Sequence, residues 1–199
     1  MSIHQNIEIL RKKIPDNIKL VCVSKLHSTE EILEAYNAGE RIFGENKMQE
    51  LIVKQQNLPE DIEWHFIGHL QTNKVKYIVP FVSLIHGVDS LRLLKEIDKA
   101  AFKVDKVVNC LLQIHIAEED TKFGFSEEEL TGVLESAEIA ELNNVNICGL
   151  MGMATFTSNQ NQIRKEFRQL KTLFDKLKST YFADNNYFKE LSMGMSDDY

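Results

Sequence analysis

Residues 18–25 read Ile-Lys-Leu-Val-Cys-Val-Ser-Lys. The run Ile18–Val23 suits a strand covered on both faces, as in a parallel sheet. A helix signal follows at once. Ser28 or Thr29 can cap a helix running through Ala38, Glu30 and Glu31 fall in its favourable first turn, and Gly39 stands at its end. Strand, short connection, helix is the unit of a parallel α/β fold.

The unit repeats outward from there. Short apolar runs at residues 41–44, 64–68, 82–86, 107–116, 145–151 and 187–193 read as six further strands. Between them lie amphipathic segments at 45–56, 70–79, 91–102, 126–142 and 161–180. Ser90 caps one of these, and Ser126 with Glu129 forms a capping-box signature for another. Residues 1–14 are also helical in pattern. Parallel strands joined by right-handed crossovers can form an open doubly wound sheet or a barrel. No G-x-G-x-x-G follows the first strand, which ends instead in Val23-Ser24-Lys25. Seven units exceed the six strands of the usual open sheet, so the expectation is a single domain over residues 1–199, an α/β (β/α)8 TIM-type barrel. The eighth strand and helix are not among these residues: Tyr199 falls where the helix after strand seven would begin.

Composition narrows the function classes. The 199 residues are 43% hydrophobic and 27% charged, ordinary for a globular chain able to bury its own core. Thirty acidic against 23 basic residues give a net charge of −7, which argues against a nucleic-acid partner. No apolar run approaches the roughly 20 residues of a membrane helix, and the polar N-terminus has no signal-peptide core. Cys22, Cys110 and Cys148 are odd in number and far apart, which reads as reduced, buried thiols in a cytoplasmic protein.

In a barrel of this kind chemistry sits at the C-terminal ends of the strands. Lys25 follows strand one. Shelter there would disfavour the ammonium, and a neutral amine is what Schiff-base chemistry needs. The plainer reading is a strand-end lysine that pairs with a carboxylate or reaches solvent. Ser192-Met-Gly-Met-Ser196 can form a nest of backbone N–H groups for a phosphate, or a plain turn capped by Ser196. Phe43-Gly-Glu-Asn46 can set an amide beside a ligand ring, with Glu45 orienting Lys25. Alternatively Gly44 only permits a turn and Asn46 caps the next helix. His65 and His69 are four apart but separated by Gly68 at a strand end, so they lack the helical spacing of a metal pair. His86 and His115 read as satisfied structural histidines, as does His65 if its ring packs beside Trp64. Met151, Met153, Met193 and Met195 read as gap-filling core.

Several of these segments occur together in one family. Val21-Cys-Val-Ser-Lys25, Phe43-Gly-Glu-Asn46 with Gln49-Glu50, Trp64-His-Phe-Ile-Gly68-His-Leu-Gln71 with Asn73-Lys74, Gly149-Leu-Met151 and Leu191-Ser-Met-Gly-Met-Ser196-Asp stand in order. The chain resembles the pyridoxal phosphate homeostasis proteins from about residue 18 to 198. The resemblance implies a barrel like the N-terminal domain of alanine racemase. It also implies pyridoxal 5′-phosphate held as a Schiff base by Lys25, with Asn46 near the ring. Met151 and the segment with Ser192, Gly194 and Ser196 would line the pocket and help hold the phosphate. The implied role is to keep free pyridoxal phosphate low and supply it to client enzymes, without robust turnover and as a monomer. A racemase of this class needs a second acid/base from an additional domain and a partner subunit, for which 199 residues of barrel leave no room. Family members continue past strand seven to a final strand. There a Gly-Ser-rich stretch with an Arg and an Ile-Gly pair supplies much of the phosphate grip, and it has no counterpart among these residues. Two rivals stand beside this reading. One is an amino-acid racemase-like enzyme, the other a barrel that binds a different anion and uses Lys25 only for its charge.

Overall fold

The computed structural model of the chain describes residues 2–118 and 123–194. The elements are α1 (Ile3–Arg11), β1 (Cys22–Val23), α2 (Thr29–Asn37), β2 (Ile42–Glu45), α3 (Met48–Asn57) and β3 (Glu63–Phe66). A 3₁₀ turn (Thr72–Lys74) then leads into α4 (Val75–Ile78), β4 (Leu84–Val88), α5 (Leu91–Phe102), β5 (Val108–Ile114), α6 (Glu127–Leu134) and α7 (Ala137–Ala140). Strand β6 (Val145–Gly152), helix α8 (Gln160–Thr180) and strand β7 (Glu190–Ser192) complete the described part. The helices start where their caps are. Ser28 and Ser126 each close a full capping box, with Glu31 and Glu129, and the Ser90 hydroxyl accepts from the Leu93 N–H.

The seven strands are all parallel and pair in chain order, β1 to β7. Two long-range contacts show how far this sheet curls. Lys19, just before β1, lies with its Nζ 2.7 Å from the Glu190 carboxylate at the start of β7, so the two edges of the sheet approach one another. His86 of β4 lies with its Nδ1 2.9 Å from the Ser192 hydroxyl of β7. Strands β5 and β6 separate those two along the sheet, so the contact crosses the hollow. The seven strands therefore form a partial barrel whose concave side is an interior.

The main core lies between the sheet and the surrounding helices, with Phe43, Phe66, Ile85, Leu94 and Leu112 almost fully buried. A smaller apolar cluster of Leu111, Cys148 and Met151, with Leu84 and Met153 against it, packs apart from that layer. Met151 and Met153 are thus core fillers, as expected, whereas Met193 is exposed. Strand β7 is anchored by aromatic stacking: Phe188 lies between Phe182, at 4.2 Å, and Phe174 of α8, at 4.9 Å. The three cysteines are free thiols, and burial pushes Cys22 up to about 12 and raises Cys110 and Cys148 as well. Among the described residues no helix is long and apolar enough to cross a membrane.

Several elements are shorter than their sequence pattern. Strand β1 covers two residues because it pairs on one side only, with β2. The helix expected over 70–79 is a 3₁₀ turn and one helical turn, with the Pro80 ring standing just beyond. The helix expected over 126–142 breaks into α6 and α7. Ser136 stands extended at the break and its hydroxyl donates to the Val133 carbonyl, taking an acceptor the helix would have used.

Candidate functional site

Lys25 lies directly past the C-terminal end of β1, in a turn closed by a hydrogen bond from the His27 N–H to the Ser24 carbonyl. Leu26 occupies that turn with φ 66°, a left-handed conformation that costs a leucine about 1–2 kcal/mol. Such strain persists where the surroundings over-determine it, and here they do. Beneath the turn the Lys54 ammonium donates to the Ser24 carbonyl at 2.8 Å and to Glu45 Oε1 at 2.7 Å. The Ser24 hydroxyl donates to the same Glu45 oxygen at 2.6 Å. From α3, Glu50 accepts the Leu26 N–H at 3.2 Å. That N–H, helped by the nearby Lys54 and Lys47 ammoniums, holds the Glu50 carboxyl below its ordinary range. Lys54 and Glu45 are buried, with Glu45 Oε2 left without a hydrogen-bond partner.

This geometry corrects two expectations about Lys25. The residue is exposed at the strand end rather than sheltered there, as in the plainer reading of a lysine that reaches solvent. Glu45 is not seen to orient it: Glu45 Oε1 accepts from Lys54 and Ser24, and Oε2 is buried without a hydrogen-bond partner. The buried amine beneath the strand-one turn is Lys54, which sequence reasoning missed. Its signal was present: Lys54 falls with Leu51 on the buried stripe of α3, which Leu58 continues just past the helix end.

Asn46 directly follows β2, two positions beyond Gly44, which pairs with Val23 of β1. It does not cap α3, whose N-cap is Lys47 with no side-chain hydrogen bond. Asn46 instead packs on Gly68, where an added Cβ would come within 2.5 Å of the Asn46 carbonyl oxygen, so only glycine leaves room. Across the opening, Met151 of β6 pairs directly with Ser192 of β7. Gly194 takes φ 87° with open space where a side chain would stand. Ser196 lies outside the described residues.

The interior below Ser192 is polar. His86 Nε2 is 3.0 Å from His65 Nδ1, and both rings are buried. Burial depresses His65 to about 4, with Lys19 adding to that and Glu190 opposing it. Burial and the neighbouring His65 take His86 to about 3. Both are thus neutral, hydrogen-bonded histidines, as the sequence suggested. Among the described residues no group of three or more His, Cys, Asp or Glu is placed to hold a metal ion. A second unforeseen cluster sits over β3–β5. There the His69 ring stacks on Phe123 at 4.1 Å with its Nδ1 3.0 Å from Asp89, and the buried Gln113 amide donates to the Phe123 carbonyl.

The whole of residues 1–199 matches the family described as alanine racemase, N-terminal domain. A pyridoxal phosphate homeostasis protein of Aquifex aeolicus is 42% identical over 182 residues, which is 91% of this chain and 78% of that protein. The chain belongs to the pyridoxal phosphate homeostasis protein family. The homeostasis protein of Synechocystis is 36% identical over 94% of this chain and 84% of its own length. The solved structure of PipY from Synechococcus elongatus with PLP bound superposes on this homeostasis-family barrel with a TM-score of 0.88. The match is 34% identical, over 99% of this chain and 91% of that one. An alanine racemase of Clostridium difficile, 15% identical with a TM-score of 0.74, shares the fold.

The donor set suits the family's cofactor. A primary amine, a carboxamide, a hydroxyl and a left-handed glycine in an open loop stand at the ends of β1, β2 and β7. An aldehyde, a ring and a phosphate monoester call for those groups.

Proposed function

We propose that this protein binds pyridoxal 5′-phosphate through Lys25 and acts in intracellular pyridoxal phosphate homeostasis, as a carrier or regulator without robust turnover. The cofactor's aldehyde supplies the electrophile. The Lys25 amine condenses with it, the carbonyl oxygen leaving as water. The observation that carries the reading is the placement of Lys25 on a strained turn, braced from below by buried Lys54 and open to solvent above. The brace fixes the backbone from which the amine extends, and the exposure lets cofactor enter and leave. An enzyme doing carbanion chemistry on this cofactor would need the opposite, a closed and dry site.

In this reading Asn46, seated on Gly68, orients the ring from the β2 side. Met151 provides an apolar wall, and Ser192, Gly194 and Ser196 take the phosphate. The PLP-bound PipY structure and the name of the Aquifex aeolicus relative support the binding of this cofactor. The proposed setting is the cytoplasm, with a monomer passing cofactor to client enzymes that depend on it. The test is a titration with pyridoxal phosphate followed by visible absorbance. A saturable visible band should form in the wild type and vanish in Lys25→Ala. An equal band in the variant contradicts the proposal. A racemase-like activity would exchange the α-proton of an amino acid in deuterated water, and exchange well above a Lys25→Ala control would favour it.

A further inference from the structure

Ser192 is the last residue of β7 and its hydroxyl is held from inside the barrel. The holding group is a chain: His65 Nδ1, His86 Nε2, His86 Nδ1, Ser192 Oγ, with links of 3.0 and 2.9 Å. Lys19 and Glu190, joined at 2.7 Å, are the charged groups that act on His65 from the two edges of the sheet. Both rings are neutral, so each carries one proton, and the link between them needs one proton and one lone pair. Only two arrangements satisfy it. In the first, His86 Nε2–H donates to His65. Bare His86 Nδ1 then takes the Ser192 proton, and the hydroxyl turns only lone pairs outward. In the second, His65 Nδ1–H donates to His86 Nε2, and His86 Nδ1–H donates to Ser192 Oγ. The Ser192 proton is then free to point out of the interior.

A phosphate accepts hydrogen bonds, so only the second arrangement serves it. We infer that phosphate-monoester binding at the β7 loop sets the tautomers of two histidines in the barrel interior, turning the chain so that His65 donates to His86, His86 to Ser192, and Ser192 to the phosphate. His86 is then a positioning residue. It acts on the ligand through Ser192, and the direction of its hydrogen bonds decides whether that hydroxyl attracts or repels an anion. The inference rests on the proposed cofactor reading and deepens it.

The test separates the two. Protein labelled with ¹⁵N in histidine is compared by two-bond ¹H–¹⁵N correlation alone, with pyridoxal 5′-phosphate, and with pyridoxal, which has the aldehyde but no phosphate. Attachment to Lys25 is checked in each sample by borohydride reduction and mass. The expected result is His86 protonated on Nδ1 with the phosphorylated ligand, and no such change with pyridoxal. Inorganic phosphate should produce the same change at higher concentration. If pyridoxal phosphate labels Lys25 while the His86 tautomer stays on Nε2, or if pyridoxal moves it equally, the inference is wrong and the cofactor reading stands. If nothing labels Lys25, both fall.

Three variants keep the result independent of folding. Ser192→Ala should weaken pyridoxal phosphate binding by about tenfold, the worth of one hydrogen bond to a charged group, and leave pyridoxal unchanged. His86→Gln, whose amide can still donate to Ser192, should retain most of the wild-type affinity for pyridoxal phosphate, whereas His86→Leu should not. Equal losses for pyridoxal and its phosphate in both His86 variants would assign the chain to structure alone.

Discussion

Lys54 carries more of the site's architecture than Lys25 does. Its ammonium compensates the fully buried Glu45 and fixes the Ser24 carbonyl at once. Removing one partner of a buried pair strands the other charge, which costs about 3–5 kcal/mol, whereas replacing both with apolar groups can be nearly neutral. Lys54→Met should therefore lower the urea-unfolding free energy by about 3–5 kcal/mol. The double variant Glu45→Leu, Lys54→Met should recover most of it, and additive losses in the double variant contradict the pairing. The role of Lys54 was hard to read from sequence. The stripe of Leu51 and Lys54, continued by Leu58 past the helix end, puts a charge on a buried face, but the groups it donates to are Ser24, just past β1, and Glu45 of β2, which no local pattern reveals. The strand-end position of Lys25 was legible, because an apolar run ending in Ser-Lys marks where the chain leaves the sheet. Its exposure was not, because that depends on the turn Leu26 makes.

Among the elements, the pairing of β6 with β7 has one tight point. Gly149 takes φ 152°, and a side chain there would run into the Glu190 carbonyl oxygen and its backbone. Gly149→Ala must push β7 away, and with it Ser192 and the loop beyond. We expect a loss of more than about 2 kcal/mol in stability, in the range of backbone-strain substitutions, together with weaker pyridoxal phosphate binding. Wild-type denaturation and binding would show that this approach does not matter. The strand and helix alternation was readable because strands covered on both faces are nearly uniformly apolar and the caps at Ser28, Ser90 and Ser126 are local. The break at Ser136 was not, because a serine hydroxyl can cap, bond backward or face solvent with the same sequence around it.

At the scale of the whole molecule, the two buried histidines link the proposed cofactor site to stability. Each has a folded value below its ordinary 6.5, about 4 for His65 and about 3 for His86. As pH falls below 6.5 the unfolded chain binds protons that the folded one refuses, so stability decreases on acidification and levels off near the folded values. Each histidine contributes up to about 1.4 kcal/mol per pH unit in that window. Urea midpoints should hold between pH 8 and 7 and fall between pH 6.5 and 5, less steeply in a His65→Gln, His86→Gln double variant. A flat midpoint from pH 7 to 5 contradicts the buried, neutral pair. Sequence reasoning foresaw satisfied histidines, but not that His86 reaches Ser192, because strands β4 and β7 meet only once the sheet has curled. The curl also brings Lys19 to Glu190, and so turns seven separate strand ends into one opening. The account depends on that opening presenting Lys25 to an aldehyde. Pyridoxal phosphate bound to the intact protein, reduced with borohydride and digested, should leave its mass on the peptide carrying Lys25 in near-stoichiometric yield. Label spread over the surface lysines, with Lys25 no more modified than the rest, would contradict it.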